Sequence, residues 1–273
     1  MRARRIKTAF DIDFSNVTFV GSSALMYLIA IVNDAKNHLL FKCYFTGNFP
    51  IDGVAKERLI NSGFLKFVHA QGRRGIVPES RSIQIRQGRA HDPDTAKDVC
   101  VFIQTCCSLS RIDTIPLYNI LLELMGNTYQ HAYDTITEAG FWYLFAEETE
   151  DFVEFVFLDT GLGIPTTVQK RFRESITAWI GLVKDSSLIV SALKGEFRTK
   201  TKETYRGKGL PQIFDCFKSG LLCDGLVYSG AGSCMLGGVL GDKLNVNDFD
   251  EKLFGTLYSW RVSKKGNGKN DNN

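Results

Sequence analysis

The order of strand-like and helix-like segments in this chain of 273 residues predicts the α+β fold class. Strand and helix patterns alternate in the first part of the chain, which is typical of a small α/β domain. A stretch rich in Arg, Gly, Pro and Ser follows and is interpreted as a linker. Beyond it, two helices precede a group of strands. We therefore expect a two-layer α/β sandwich there, with helices on one face of a mixed sheet.

The first predicted domain comprises residues 1 to 90, linker included. Ser22 and Ser23 stand where a helix N-cap is expected, directly before an apolar run. The strand–helix order predicts a parallel strand pair joined by a right-handed crossover. In chain order, the pattern predicts a strand at 10–14, a helix at 24–32, a strand at 39–46, and a helix at 54–59 continued by Phe64 and Leu65.

The second predicted domain comprises residues 91 to 263, and the linker before it holds one short strand at 82–86. Residues 264 to 273 contain no apolar side chain and predict a disordered tail. In chain order, the second domain is predicted to contain helices at 96–108 and 117–133, strands at 141–147 and 152–158, a helix at 210–217, and strands at 225–229, 233–240 and 254–262.

Composition argues against several classes of protein. The formal charge of +3 is spread along the chain, and the short basic clusters near both ends are interpreted as solvated tails, so nucleic-acid binding is not indicated. The seven cysteines form no C-x-x-C pair, which favours reduced thiols in a cytoplasmic protein over a zinc site or a secreted protein. No apolar stretch reaches the ~18 residues that a membrane helix needs.

A carboxylate and an amide lie one helical turn apart in the segment Glu123-Leu124-Met125-Gly126-Asn127. If residues 117 to 133 form a helix, this spacing places both side chains on the same face. His131 follows one turn later. The pair alone is typical of a solvated helix face, so its meaning depends on the segments that follow.

A buried strand is predicted to end in an acid and two glycines, in Asp159-Thr160-Gly161-Leu162-Gly163-Ile164. Glycines let the backbone approach a ligand closely. The carboxylate of Asp159 has the chemistry to accept a hydrogen bond from the exocyclic amine of adenine. This segment alone is typical of a tight turn.

A third segment, Arg206-Gly207-Lys208-Gly209-Leu210-Pro211, opens a predicted helix. Backbone amides at a helix start are suited to bind phosphate, and the two basic side chains would add positive charge. A Walker A sequence is absent, so a P-loop site is not indicated. The three segments in this order predict a nucleotide site, although each one alone is weak evidence.

The arrangement resembles the GHKL ATPase superfamily over residues 95 to 263. That superfamily includes type II topoisomerases, histidine kinases and mismatch-repair ATPases. The pattern E-x-x-x-N-x-x-x-H-A-Y resembles the serine-kinase branch, the anti-sigma factor kinases, more than sensor kinases. The residues that carry the resemblance are Glu123, Asn127, His131, Ala132, Asp159, Gly161, Gly163, Gly207, Gly209, Gly255 and Thr256.

The resemblance implies a Bergerat-type ATP-binding fold with ATP and Mg²⁺ as cofactors. Glu123 would be the catalytic base or orienter, and Asn127 would hold Mg²⁺, for which one amide oxygen and phosphate oxygens are suitable ligands. His131 is interpreted as a residue of the site wall or of the packing around it, with a phosphoacceptor role as the alternative. The candidate cofactor-binding residues are Asn127, His131, Asp159, Gly161, Gly163, Ile164, Arg206, Gly207, Lys208, Gly209, Leu210 and Thr256.

The first domain resembles a STAS domain, the fold of anti-sigma factor antagonists, over residues 8 to 90. The resemblance rests on Val20-Gly21-Ser22-Ser23-Ala24-Leu25 and the amphipathic helix that follows. In that family a serine at this helix start can be phosphorylated, and Ser23 is the closer match. Gly21 replaces the family's acidic residue, so a plain N-cap role for Ser22 or Ser23 is favoured. Homodimerisation through this domain is also a habit of the family.

These observations predict a Mg²⁺-dependent ATP-binding protein. It would hydrolyse ATP or transfer the γ-phosphate to a serine of a partner protein, with Glu123 activating the attacking hydroxyl. The alternative is a non-catalytic, nucleotide-gated protein-interaction switch. In both cases residues 165 to 205 are expected to close over the nucleotide as a lid.

Overall fold

The computed structural model describes residues 6–37, 41–68, 81–130, 140–171, 183–197, 209–237 and 244–264. The helices and strands in these ranges are, in chain order, β1 (Ile6–Ile12), α1 (Ser22–Asn37), β2 (Phe41–Gly47), α2 (Gly53–Asn61), α3 (Leu65–Val68), β3 (Ser82–Gly88), α4 (Pro93–Cys107), α5 (Arg111–Gln130), β4 (Trp142–Glu148), β5 (Phe152–Asp159), α6 (Ile164–Arg171), α7 (Asp185–Leu193), α8 (Gly209–Lys218), β6 (Cys223–Leu236) and β7 (Asn245–Ser263).

A five-stranded sheet with the order β3-β4-β5-β7-β6 forms the centre of the molecule. Every neighbouring pair in it is antiparallel. The α+β class predicted from the sequence is therefore confirmed, whereas the expectation of a mixed sheet is wrong. The pairs β4–β5 and β6–β7 are formed by consecutive strands, a connection that gives antiparallel neighbours. Helices lie between the paired strands in the chain for β3–β4 and β5–β7.

The side chains of β5 alternate between two apolar cores. Val153, Phe155 and Phe157 belong to the core formed with α4, α5, α7 and α8, whereas Val156 and Leu158 belong to the core formed with α1, α2 and α3. Successive side chains of a strand point to opposite faces, so this sheet is apolar on both faces and is covered on both. Helices therefore cover two faces, where the sequence led us to expect one.

The first two strands form a separate parallel sheet, with Ile6 opposite Phe41 and Ile12 opposite Gly47. Helix α1 connects them, which confirms the parallel pair predicted from the βαβα order. The short strand predicted within the linker is also present, and it extends to Gly88. It is the edge strand of the five-stranded sheet and pairs with β4. The sequence did not indicate this partner, because strand pairing joins residues that are far apart in the chain.

Helix α5 begins six residues before the predicted start at 117. Ser110 and Asp113 explain the earlier start, since Ser110 N–H and Oγ both donate to Asp113 Oδ2, at 2.9 and 2.6 Å. The Asp113 N–H donates back to Ser110 Oγ at 3.3 Å, as in a capping box. Pro116 lies inside the helix and removes one backbone hydrogen bond without ending it.

Two of the three late strands predicted from the sequence are one continuous strand. The segments expected at 225–229 and 233–240 are joined in β6, and the third lies within the longer β7. Gly230 and Gly232 lie at shifts of the β6–β7 register, where the ladder is irregular but does not end. The glycines therefore interrupt the pairing register without ending the strand.

In the part of the chain that the structure describes, no helix is both long and apolar enough to cross a membrane. All seven cysteines are unpaired. The predicted tail at 264–273 lies outside the described residues except for Lys264.

Candidate functional site

Asp159 is the last residue of β5 and lies on the face of the sheet that carries α4 and α5. This follows from the alternation along the strand, because Phe155 and Phe157 belong to the core on that face. Asp159 Oδ1 accepts a hydrogen bond from Gly161 N–H at 2.9 Å. The Asp159 carboxylate also accepts a hydrogen bond from the Thr256 side chain. A carboxylate has about four lone-pair positions, so acceptor capacity remains for a ligand.

Burial raises the pKa of Asp159 to about 6, against the lowering effect of the hydrogen bonds from Gly161 and Thr256. The side chain keeps partial access to solvent, although packed protein atoms surround it. A raised pKa means that the two donors do not fully compensate the lost hydration of the charged form. An additional donor from a ligand would stabilise the carboxylate.

Thr256 lies directly opposite Asp159 in the pairing of β7 with β5. Both side chains face the α5 layer, since Tyr258 and Trp260 of β7 belong to the same core as Phe157. The two residues are far apart in the sequence and meet only through this strand pairing. Strand pairing therefore places the candidate residue Thr256 beside Asp159.

Ser229 of β6 links the two ends of this arrangement, and the sequence analysis did not identify it. Its Oγ donates to the Gly255 carbonyl at 2.8 Å, accepts the Ile164 N–H at 2.9 Å and lies 3.0 Å from Thr256 Oγ1. Ser229 is completely buried. In the sequence, Ser229 is noticeable only as a polar residue within an apolar strand, and it belongs to no motif.

Two glycines with positive φ allow the loop after β5 to lie against β6 and β7. A Cβ added at Gly163, where φ is +80°, would lie 2.8 Å from Ser229 Oγ and 2.9 Å from the Gly255 carbonyl oxygen. At Gly255, where φ is +89°, it would lie 1.9 Å from the carbonyl oxygen of Asp159. Both positions therefore require glycine. Ile164 follows as the first residue of α6 and is buried.

Glu123 and Gly209 are in close contact, which brings the first and third sequence segments together. A Cβ added at Gly209 would lie 2.2 Å from Cγ and 2.9 Å from Cβ of Glu123. Gly209 is the buried first residue of α8, and Leu210 after it packs against the core. The half-buried Glu123 therefore lies at the N-terminus of α8.

Asn127 is half-buried on α5, one turn after Glu123. The segment before α4 lies against this turn, since a Cβ added at Gly126 would lie 2.5 Å from Nε2 of His91. The neighbouring Ala90 carbonyl accepts a hydrogen bond at 2.8 Å from Nε1 of Trp142, the strand partner of Asp159. His91 therefore lies between the α5 turn and the Asp159 end of the sheet.

Four predicted site residues lie outside the described residues: His131, Arg206, Gly207 and Lys208. The predicted lid is described in part. Its first section forms α6 and its middle section forms α7, while residues 172–182 and 198–208 lie outside the described ranges.

Ser22 does not have the N-cap role favoured from the sequence. It is the first residue of α1 and is buried, and its Oγ donates to Glu154 Oε2 at 2.6 Å. Arg58 donates to Ser22 Oγ at 2.9 Å and also pairs with Glu147. The start of α1 packs onto the sheet, so the hydroxyl bonds to a strand residue rather than to its own helix. Ser23 is half-buried.

These residues provide two kinds of chemistry on one face of the sheet. At the Asp159 end, a carboxylate that can accept further hydrogen bonds lies beside the loop that contains Gly161 and Gly163. The Glu123 end offers a carboxylate, the Asn127 amide oxygen and the amides of a helix N-terminus.

No model of a known protein family matches the chain, and no curated protein sequence matches it. The functional conclusion therefore rests on the residues and their geometry.

Proposed function

We propose that this protein binds ATP with Mg²⁺ at the sheet face between β5, β7, α5 and α8, in a Bergerat-type fold of the GHKL kind. It hydrolyses the nucleotide or transfers its γ-phosphate to a serine of a partner protein. The observation that carries the proposal is the convergence of segments that are distant in sequence. Gly209 meets Glu123, and Thr256 meets Asp159, on the same face of the sheet.

The Asp159 end supports recognition of adenine. Asp159 retains acceptor capacity, and its raised pKa reflects a shortage of donors. The exocyclic amine of adenine is a donor, so its hydrogen bond would lower the free energy of the ionised carboxylate. A Cβ added at Gly161 would lie 3.0 Å from Asp159 Oδ1, so glycine keeps a side chain away from the carboxylate that would receive the base.

The Glu123 end supports binding of the phosphates. Helix α8 begins at Gly209, and its first amides can bind anionic oxygens. Asn127 would hold Mg²⁺ through its amide oxygen, and this cation would supply neutralisation of the phosphate charge. The missing side chain at Gly209 lets the helix start lie directly against Glu123.

Glu123 is the residue that we assign to catalysis. A carboxylate next to the phosphate site can accept a proton from an attacking water or serine hydroxyl, which is the general-base role in phosphoryl transfer. The rival function, a nucleotide-gated switch, uses the same binding residues but needs no proton acceptor.

The order β1-α1-β2-α2 and its parallel strand pair support a STAS-like first domain that contacts the protein partner. The unpaired cysteines support a cytoplasmic location.

The test follows ATP labelled at the γ-phosphate, with Mg²⁺ and with or without an extract of the source cells. Glu123→Gln keeps the shape of the side chain and should abolish label release or transfer while binding survives. Glu57→Gln, at an exposed glutamate of α2, is the matched control and should behave as the unchanged protein. Free labelled phosphate identifies an ATPase, and labelled protein identifies a kinase.

Equilibrium binding decides between the enzyme and the switch. Tight ATP binding without loss of the γ-phosphate, unaffected by Glu123→Gln, supports the switch and rejects the catalytic assignment. Absence of any ATP binding in the unchanged protein rejects both functions.

A further inference from the structure

The formal charge of +3, which the sequence analysis took as spread along the chain, divides unevenly at residue 90. Residues 1–90 contain 14 of the 33 basic residues and 6 of the 30 acidic ones, so this part carries +8 and the remainder −5. A basic domain attracts polyanions, most strongly where its cations lie together on one surface. A surface for a polyanion is therefore expected on the first domain.

One face of the small sheet formed by β1 and β2 is exposed to solvent along its length. Helix α1 lies on the opposite face, where Lys36 Nζ is 5.8 Å from the ring centroid of Phe45. Directly paired residues of neighbouring strands point to the same face, so the strand register defines the exposed set. Its members are Lys7, Ala9, Asp11, Lys42, Tyr44 and Thr46.

Two lysines are direct strand partners at one end of this face, Lys7 in β1 and Lys42 in β2. Their like charges repel, and an anion bound between the two ammonium groups would relieve that repulsion. The carboxylate of Asp11 is too distant to do so, because it lies four residues, about 13 Å, further along β1. Its Oδ1 accepts a hydrogen bond from Thr46 Oγ1 at 2.9 Å. The lysine pair is therefore suited to an external anion.

An exposed aromatic ring lies next to the lysine pair. Tyr44 follows Lys42 by two residues in β2 and is 43% exposed, and Lys42 Nζ lies 5.5 Å from the centroid of its ring. The residue directly opposite Tyr44 is Ala9, whose small side chain leaves the ring accessible from the β1 side. A base can stack on such a ring while neighbouring ammonium groups neutralise its phosphate.

We infer that this face binds single-stranded nucleic acid, with a base stacked on Tyr44 and phosphate oxygens at Lys7 and Lys42. The bases of a duplex are already stacked on one another, so the ring favours unpaired strands. Arg2, Arg4 and Arg5 lie outside the described residues, but they directly precede β1 in the chain and increase the attraction for phosphates.

An anionic membrane fits this face less well than a nucleic acid. Surfaces that bind membranes insert large apolar side chains between the lipids. Among the six exposed residues of this face, the one aliphatic side chain is that of Ala9. The inference does not depend on ATP binding, and the experiment is made without ATP.

Fluorescence anisotropy of a short labelled oligouridylate, titrated with the full chain, tests the inference. Lys7→Glu and Lys42→Glu each remove a phosphate contact, so each should weaken binding about three- to ten-fold and reduce the slope of log affinity against log salt by about 0.7. Tyr44→Leu keeps an apolar side chain but removes the stacking surface, and it should weaken binding about ten-fold.

Two exposed residues elsewhere provide matched controls. Lys97→Glu makes the same charge change on α4, and Phe249→Leu removes an aromatic ring from β7. Both variants should bind the oligonucleotide as the unchanged protein does. Circular dichroism verifies that every variant is folded.

Several results would overturn the inference. The unchanged protein does not bind at about 100 μM and about 50 mM salt, Lys97→Glu weakens binding as much as Lys42→Glu, or Tyr44→Leu has no effect. Equal affinity for a duplex of the same length, or tighter binding to vesicles of phosphatidylserine and phosphatidylcholine, also rejects it. Weaker binding in the Lys7, Lys42 and Tyr44 variants, with both controls unchanged, is the expected result.

Discussion

Asp159 combines three properties at one position: it ends a buried strand, it is bonded to Gly161 and Thr256, and burial raises its pKa. A carboxylate in such surroundings is stabilised by each further donor it receives. At the scale of single residues it therefore provides the sharpest test of nucleotide recognition.

Replacing Asp159 by Asn should weaken ATP binding by about ten- to a hundred-fold, because a hydrogen bond to a charged group contributes ~1.5–3 kcal/mol. Isothermal titration calorimetry with ATP and Mg²⁺ measures the effect. Glu154→Gln is the control, since Glu154 lies on the same strand but faces Ser22 on the opposite side of the sheet. Inosine triphosphate, which lacks the amine, should bind the unchanged protein as weakly as ATP binds the variant. Equal affinities of the unchanged protein for the two nucleotides would contradict adenine recognition by Asp159.

The pH dependence of stability should reveal the same carboxylate. Its pKa is about 6 in the folded protein against an ordinary 3.8, so between these values the folded state holds a proton that the unfolded chain has lost. The free energy of unfolding therefore falls as the pH rises from about 4 to 6, and this contribution is constant above that window. We expect the stability of the unchanged protein relative to Asp159→Asn to fall by about 2 kcal/mol, since one pKa unit corresponds to ~1.4 kcal/mol and partial solvent access reduces the effect. Urea unfolding of both proteins across this range measures the difference, and parallel curves would show that Asp159 titrates normally.

At the scale of elements, the contact between α5 and α8 aligns the proposed catalytic residue with the proposed phosphate site. It depends on the absence of a side chain at Gly209. The spacing between these helices is set by packing density, so an added methyl group must displace one of them.

Gly209→Ala should destabilise the protein by ~1–3 kcal/mol, the usual effect of overpacking, and should weaken ATP binding. Gly53→Ala is a matched control, because Gly53 is also the first residue of a helix but has no atom within 4 Å of an added Cβ. Thermal unfolding and calorimetric titration of both variants give the comparison. If the two variants lost stability equally, helix-start geometry rather than the Glu123 contact would be responsible.

At the scale of the whole molecule, the five-stranded sheet is shared by two cores. Helices α1 to α3 supply one of them, together with Tyr143, Phe145, Val156 and Leu158 of the sheet. The polar contacts of Ser22 and Arg58 with Glu154 and Glu147 join the same surfaces. A chain organised in this way should unfold as one unit rather than as two independent domains.

Met26→Ala tests this cooperativity. Met26 is fully buried in α1, and its truncation should cost ~2–5 kcal/mol. All three tryptophans lie beyond residue 90, and Trp142 and Trp260 are buried in strands of the large sheet, so the fluorescence of these two reports on that sheet. We expect the urea midpoint of tryptophan fluorescence to shift together with that of far-ultraviolet circular dichroism. An unchanged fluorescence midpoint would indicate that the first domain unfolds independently.

Local patterns were sufficient to predict most elements. The apolar run before Asp159 predicted β5, and the spacing of Glu123 and Asn127 correctly placed both on one helix. Element boundaries were predicted less accurately. Capping by Ser110 and Asp113 makes α5 begin before Pro116, and the glycines within β6 do not end that strand. Periodicity and turn chemistry depend on neighbouring residues, so the sequence expresses them directly.

The sequence by itself determined which residue types are available for nucleotide chemistry and where the strands and helices carrying them lie. Only the tertiary structure decided that Thr256 pairs with Asp159, that Ser229 joins both to Ile164, and that Gly209 contacts Glu123. It also decided that both faces of the sheet are covered and that β3 joins the large sheet. The physical reason is that strand pairing and helix packing bring together residues whose separation in the chain leaves no periodic signal, whereas hydrogen bonding and close packing fix their neighbours once the chain has folded.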